Sequence, residues 1–123
     1  MDGIGRLSGR RVLVLEDEFL IRLDICAELE SEGAETVEAG TVAEGLAQAA
    51  RPVDAAVLDI TLPDGESWPV AEALRERAVP VVIHSAHAAE AAKRLPGTPV
   101  LSKPAPDGAL TRLVADAAVP DEA

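Results

Sequence analysis

Five side chains, at Glu16, Asp17, Asp59, Ser85 and Lys103, combine the types needed to hold a phosphoryl group. Carboxylates crowded together repel one another, so Glu16, Asp17 and Asp59 in one place would require a cation. Oxygen donors that leave positions open for water suit Mg²⁺ better than a softer metal. In such a site Asp59 can attack phosphorus as the nucleophile, while Mg²⁺ and the Lys103 ammonium neutralise the equatorial oxygens. The Ser85 hydroxyl would donate a hydrogen bond to one of them. Any one acidic residue alone reads more simply as a solvated loop residue, so the constellation has meaning only if the fold gathers it.

The pattern along the chain supplies that gathering. Apolar runs of strand length alternate with helical patterns. Arg11-Val12-Leu13-Val14-Leu15 is a continuous strand of the kind buried on both faces of a parallel sheet. Residues 18–32 read as a helix with an apolar stripe at Phe19, Leu20, Leu23, Cys26 and Leu29, ended by Gly33. Residues 34–39 form a weaker strand, interrupted by Glu35 and Glu38, and belong at a sheet edge. Thr41-Val42-Ala43-Glu44 has capping-box spacing and opens a helix running to about Arg51. Further strands are expected at 53–58, 80–84 and 99–102. Helices are expected at 67–78, in a short Ala-rich stretch before Pro96-Gly97, and at 107–118, with residues 1–10 and 119–123 as loose ends.

Five such units call for an α/β doubly wound parallel sheet in a single domain, joined by right-handed crossovers. Loops leaving the carboxyl ends of its strands converge on one crevice. Glu16-Asp17 ends the first strand, Asp59 the third, Ser85 the fourth and Lys103 the fifth.

Composition narrows the function classes. The 123 residues carry 11 Lys+Arg against 22 Asp+Glu, a formal net charge of -11, which disfavours a phosphate-binding nucleic-acid partner. Phe19 and Trp68 are the whole aromatic complement, too few for base stacking. A hydrophobic fraction of 48% argues against a disordered acidic tail. No 18-residue apolar span or signal-peptide run occurs, so a cytoplasmic protein without membrane association is expected. Cys26 is alone and reads as a small core residue.

The motifs Val12-Leu13-Val14-Leu15-Glu16-Asp17-Glu18, Val57-Leu58-Asp59-Ile60-Thr61-Leu62-Pro63-Asp64-Gly65, Ile83-His84-Ser85-Ala86 and Leu101-Ser102-Lys103-Pro104 follow one another in order. With them the chain resembles the CheY-like receiver domain of two-component response regulators, over a core of about residues 10–118. The resemblance implies a flavodoxin-like (βα)5 fold with strand order 2-1-3-4-5, the order given for this family as a general rule. It implies that Asp59 accepts a phosphoryl group from a sensor histidine kinase or phosphotransfer protein, with Ser85 as switch hydroxyl and Lys103 as phosphate partner. Asp17 would ligate Mg²⁺ directly, Glu16 largely through a metal-bound water, and the Thr61 backbone carbonyl would complete the protein ligands beside Asp59. The Lys103-Pro104 bond would be cis. A stand-alone switch or phosphate relay is expected, acting on a downstream protein target as a monomer or weak dimer.

Departures from the family pattern are informative. Glu16 replaces the commoner Asp. Val100 occupies the place of the family's switch aromatic, and 17 residues between Ser85 and Lys103 leave a short fourth helix, similar to a subset of stand-alone receivers. The conformational response is therefore expected in the backbone between Ser85 and Pro96. His84 reads as a hydrogen-bonded or half-buried imidazole, His87 as a side chain near the site, and Trp68 as a cover for the third helix or a partner contact. Gly3 and Gly5 lack the third glycine of a dinucleotide fingerprint. Two other classes compete: an aspartyl-phosphate hydrolase of haloacid dehalogenase type, which needs an Asp where Thr61 stands, and a constitutive receiver-like interaction module.

Overall fold

In a computed structural model, which describes residues 5–118, Val12 to Leu15 of β1 (Arg11–Leu15) are fully buried, as a strand covered on both faces must be. The chain continues through α1 (Phe19–Glu30), β2 (Glu35–Ala39), α2 (Val42–Ala49) and β3 (Ala55–Leu58). After β3 comes a two-stranded antiparallel ribbon, Thr61–Leu62 against Gly65–Glu66. Then follow α3 (Trp68–Glu76), β4 (Val81–Ser85), α4 (Ala88–Arg94), β5 (Val100–Ser102) and α5 (Ala109–Ala118). The five main strands are parallel, in the order 2-1-3-4-5. This is the flavodoxin-like doubly wound sheet that the sequence predicts.

Period-two alternation sorts the side chains into two cores. Leu13, Leu15, Ala56, Leu58, Val81 and Ile83 face Ala49 of α2, Val70, Ala71 and Leu74 of α3 and Ala91 of α4. Val12, Val14, Ala55, Val57 and Val82 face Ile25, Cys26 and Leu29 of α1 and Leu110, Val114 and Ala115 of α5. Gly45 lets α2 lie close to the sheet, since a Cβ there would stand 3.0 Å from a Leu15 methyl and 3.1 Å from a Val70 methyl.

Local chemistry sets the helix ends. Leu29 and Glu30 carbonyls accept the N–H groups of Ala34 (3.2 Å) and Gly33 (2.9 Å), a Schellman closure that requires the positive φ of +93° at Gly33. Thr41 caps α2 by accepting the Glu44 N–H at 3.1 Å. The Glu44 carboxylate returns to the Gly40 N–H at 2.8 Å, one residue earlier than in the standard box.

Two expectations are corrected. The stripe expected on the first helix is rotated: Phe19, Leu20 and Leu23 are 61%, 72% and 51% exposed, while Ile25, Cys26 and Leu29 are buried and Ile21 partly so. Ile21, Ile25 and Leu29 recur at helical spacing on the face turned to the sheet, which leaves Phe19, Leu20 and Leu23 on the outer face. Residues 1–10 are not uniformly loose, because Leu7 is fully buried and its N–H donates to the Glu32 carbonyl at 2.9 Å. The expectation for residues 1–4 and 119–123 lies outside the described residues. Trp68 covers the start of α3, the first of its two expected readings: it packs against the core, donates to Glu66 at 3.0 Å, and carries the Arg94 guanidinium 4.6 Å over its ring.

Candidate functional site

Register places the site. Leu15 pairs with Leu58 across the sheet, so Glu16 and Asp59 leave it side by side. Ser85 pairs with Ser102, so Lys103 follows beside Ser85, and the Lys103 N–H donates to the Ser85 carbonyl at 3.0 Å. The Lys103-Pro104 peptide is cis, as the resemblance implies.

Carboxylate oxygens of Glu16, Asp17 and Asp59 come within 4.8 Å of one another. Glu16 and Asp59 are buried and Asp17 is exposed, so the cluster opens to solvent on one side. The Lys103 ammonium lies 2.8 Å from Glu16 Oε1 and 3.2 Å from Asp59 Oδ2. The Glu18 N–H donates to the other Glu16 oxygen at 3.1 Å, and the Ile60 N–H to Asp59 Oδ1 at 2.8 Å.

Burial raises the Glu16 pKa above the ordinary carboxylate value; the bonds from Lys103 and Glu18 oppose that rise and the Asp59 charge adds to it. Burial works against the Lys103 charge as well, but the bond to Glu16 and the two carboxylate charges outweigh it, and its pKa is raised. One ammonium shared by two buried carboxylates leaves negative charge over, beside the exposed Asp17. All the side-chain donors are hard oxygens, which fits a Mg²⁺-type ion.

The other expected residues are placed as follows. Ser85 is buried at the end of β4, and its Oγ accepts the His87 N–H at 2.9 Å. Thr61 begins the ribbon two residues after Asp59, with its side chain exposed. Val100 is partly buried against the core, and no aromatic takes its place. His87 precedes α4 with its side chain exposed. His84 departs from expectation: it is only 7% exposed, yet neither ring nitrogen has a hydrogen-bond partner among the described residues.

Two supports escaped the sequence reading. Arg22 donates to the Glu16 carbonyl at 2.7 Å and pairs with Glu38 at 2.9 Å, bracing the turn after β1 against β2. Asp64 accepts the N–H groups of Val42 (2.7 Å) and Ala43 (3.1 Å), which caps α2 from a distant loop and holds the Asp64 pKa down. Partners 16 and about 22 residues away carry no local spacing signal; only the turn chemistry of Pro63-Asp64-Gly65 hints at the second.

Comparison with known proteins agrees with this geometry. No family model matches the chain. It is 42% identical over 84 residues to the KDP operon transcriptional regulatory protein KdpE of Escherichia coli. That alignment takes in 67% of this chain, which spans only 37% of that relative's length. A response regulator receiver protein from Sinorhizobium medicae superposes with a TM-score of 0.81 at 25% identity, over 87% of this chain and 92% of that one. The receiver domain of the sensor histidine kinase PA1611 from Pseudomonas aeruginosa, whose crystal structure has magnesium in the active-site cleft, matches in fold. Its TM-score is 0.78 at 24% identity, covering 89% of this chain and 98% of that domain. The chain belongs to the receiver domains of two-component response regulators.

Proposed function

We propose that this chain works as a single receiver domain that takes a phosphoryl group onto Asp59 from a sensor histidine kinase or phosphotransfer protein. The supporting observation is the convergence of Glu16, Asp17 and Asp59 within 4.8 Å, with Lys103 in contact with two of them. A carboxylate oxygen of Asp59 would bond to phosphorus as the bond to the donor's histidine nitrogen breaks, and that nitrogen keeps the electron pair. Lys103 is already at the carboxylate that gains the charge, and Ser85 stands at the neighbouring strand end. Asp17, Glu16, Asp59 and the Thr61 carbonyl would hold Mg²⁺, which when bound supplies neutralising charge for the transferring group.

Phosphorylation replaces the single carboxylate charge of Asp59 by a phosphoryl group carrying nearly two, a net gain of about one negative charge together with three strong acceptor oxygens. In this proposal Ser85 answers them, and the backbone from Ser85 to Pro96 moves with it, changing the affinity of a downstream protein target. A cytoplasmic signalling role, as a monomer or weak dimer, completes the reading. No membrane-spanning helix occurs among the described residues.

The test is incubation with acetyl phosphate, with and without Mg²⁺, followed by intact-mass spectrometry. One phosphoryl adduct is expected, dependent on Mg²⁺ and absent from Asp59→Asn. An adduct that persists in Asp59→Asn, or none in the wild type, would remove the proposal. Sustained release of phosphate from phosphomonoesters would favour a hydrolase instead, although Thr61 stands where that chemistry needs an acid.

A further inference from the structure

Asp17 is the exposed member of the acidic cluster, and its carboxylate has no hydrogen-bond or ion-pair partner among the described residues. No side-chain contact sets its place, so the backbone must. A peptide group is planar, and the Glu16 carbonyl oxygen and the Asp17 Cα therefore belong to one rigid unit. Whatever grips that oxygen fixes the base from which the Asp17 side chain extends.

The grip is Arg22, whose Nη1 donates to that oxygen at 2.7 Å while its Nε donates to Glu38 of the edge strand β2 at 2.9 Å. The two bonds use separate nitrogens of one planar group. A lysine ammonium, a single nitrogen on a flexible stem, does not reproduce that fork. The guanidinium is itself held in place: its side chain is only 19% exposed, and it lies 5.8 Å from the centre of the Phe19 ring. The groups on either side are tied as well, the Glu16 N–H to the Ala39 carbonyl at 3.0 Å and the Glu18 N–H to the Glu16 carboxylate at 3.1 Å. Arg22 supplies the tie on the peptide that carries Asp17.

Such rigidity matters more to one ion than to another. Mg²⁺ demands a near-ideal octahedron of oxygens at about 2.0–2.1 Å, whereas Ca²⁺ tolerates looser arrangements at about 2.3–2.6 Å. As a charge, Arg22 repels both ions alike. Its use to the site must therefore come from geometry. We propose that Arg22 is a positioning residue that makes the site select Mg²⁺ over Ca²⁺, by holding the Glu16–Asp17 peptide so that the Asp17 carboxylate keeps one bearing toward Asp59. This inference rests on the cation site proposed above and adds ion selectivity to it.

Amide NMR titrations of the ¹⁵N-labelled full chain with Mg²⁺ and with Ca²⁺, at constant ionic strength, give the two dissociation constants. In Arg22→Met, Mg²⁺ binding is expected to weaken about tenfold, the size usual for loss of a residue that orients a metal ligand. Ca²⁺ binding is expected to weaken by less than about threefold. The ratio of the two constants decides, because the lost charge and any fraction of unfolded chain act on both ions equally and cancel in it. Arg22→Lys keeps the charge without the fork, so its preference for Mg²⁺ should fall too, and it carries the test if the methionine variant does not fold. An unchanged ratio in a folded variant would overturn the role of Arg22 and leave the cation site standing. If the wild type gives no saturable shift with Mg²⁺, or Asp17→Asn binds it as tightly, the cation site fails and this inference with it.

Discussion

Between β3 and α3 the loop of residues 59–67 is tied at several points, whereas the turn between β4 and α4 rests on little more than one bond. In the first, Thr61 pairs with Glu66, the Ser67 N–H donates to the Ile60 carbonyl at 2.9 Å, Asp64 caps α2, and Glu66 accepts from Trp68. In the second, the His87 N–H donates to the Ser85 hydroxyl, and a seven-residue helix follows. The hydroxyl that steadies this turn is also the one a phosphoryl group on Asp59 would recruit. If Ser85 Oγ moves toward a phosphate oxygen, the His87 bond stretches, and the start of α4 loses its anchor. The contrast teaches that a domain without a switch aromatic can still respond in one place, because the acceptor loop is fixed and its neighbour is not.

The largest expected effect concerns the rigid side. Leu58, fully buried beside the acceptor, should cost about 3 kcal/mol on Leu58→Ala, read by urea unfolding. A loss below about 1 kcal/mol would mean that the acceptor strand is not the stiff element. Next comes pH. Burial, then the Lys103 charge, depress the His84 pKa below its ordinary 6.5. The unfolded chain therefore takes up a proton there that the folded chain refuses, and stability is lost as pH falls through about 6.5. The loss should reach up to about 1.4 kcal/mol at about pH 5.5, and a matched urea series on His84→Leu should lack that component.

Smaller effects probe the mobile side. Ser85→Ala should lower stability by about 1 kcal/mol through the freed His87 N–H, and should still accept a phosphoryl group while losing the response in α4. Amide NMR of the activated variant checks this, and an unaltered α4 response would move the switch elsewhere. Arg94→Ala, which removes the cation over Trp68, should cost about 0.5–1 kcal/mol and shift the tryptophan emission. Unchanged emission would show that α4 is not clamped to α3.

Much of this was legible in the sequence. Val12 to Leu15 and Val81 to Ile83 are continuous apolar runs, so burial on both faces and a parallel sheet follow from composition alone. Once the sheet is parallel, the residues after each strand, Glu16, Asp59, Ser85 and Lys103, must share an edge. Helix orientation was harder: Phe19, Leu20 and Leu23 satisfy a helical stripe as well as Ile21, Ile25 and Leu29 do, and only docking on the sheet chooses between them. Long-range supports such as Arg22 on the Glu16 carbonyl and Asp64 on α2 depend on tertiary geometry. The orphaned His84 ring likewise depends on what its neighbours fail to offer.

Amide hydrogen exchange, measured residue by residue with and without beryllofluoride and Mg²⁺, tests the contrast between the two loops most directly. The account predicts faster exchange at His87 and through α4 on activation, with the Val42, Ala43 and Ser67 amides unchanged. Faster exchange at Val42 and Ala43, with α4 still protected, would contradict it.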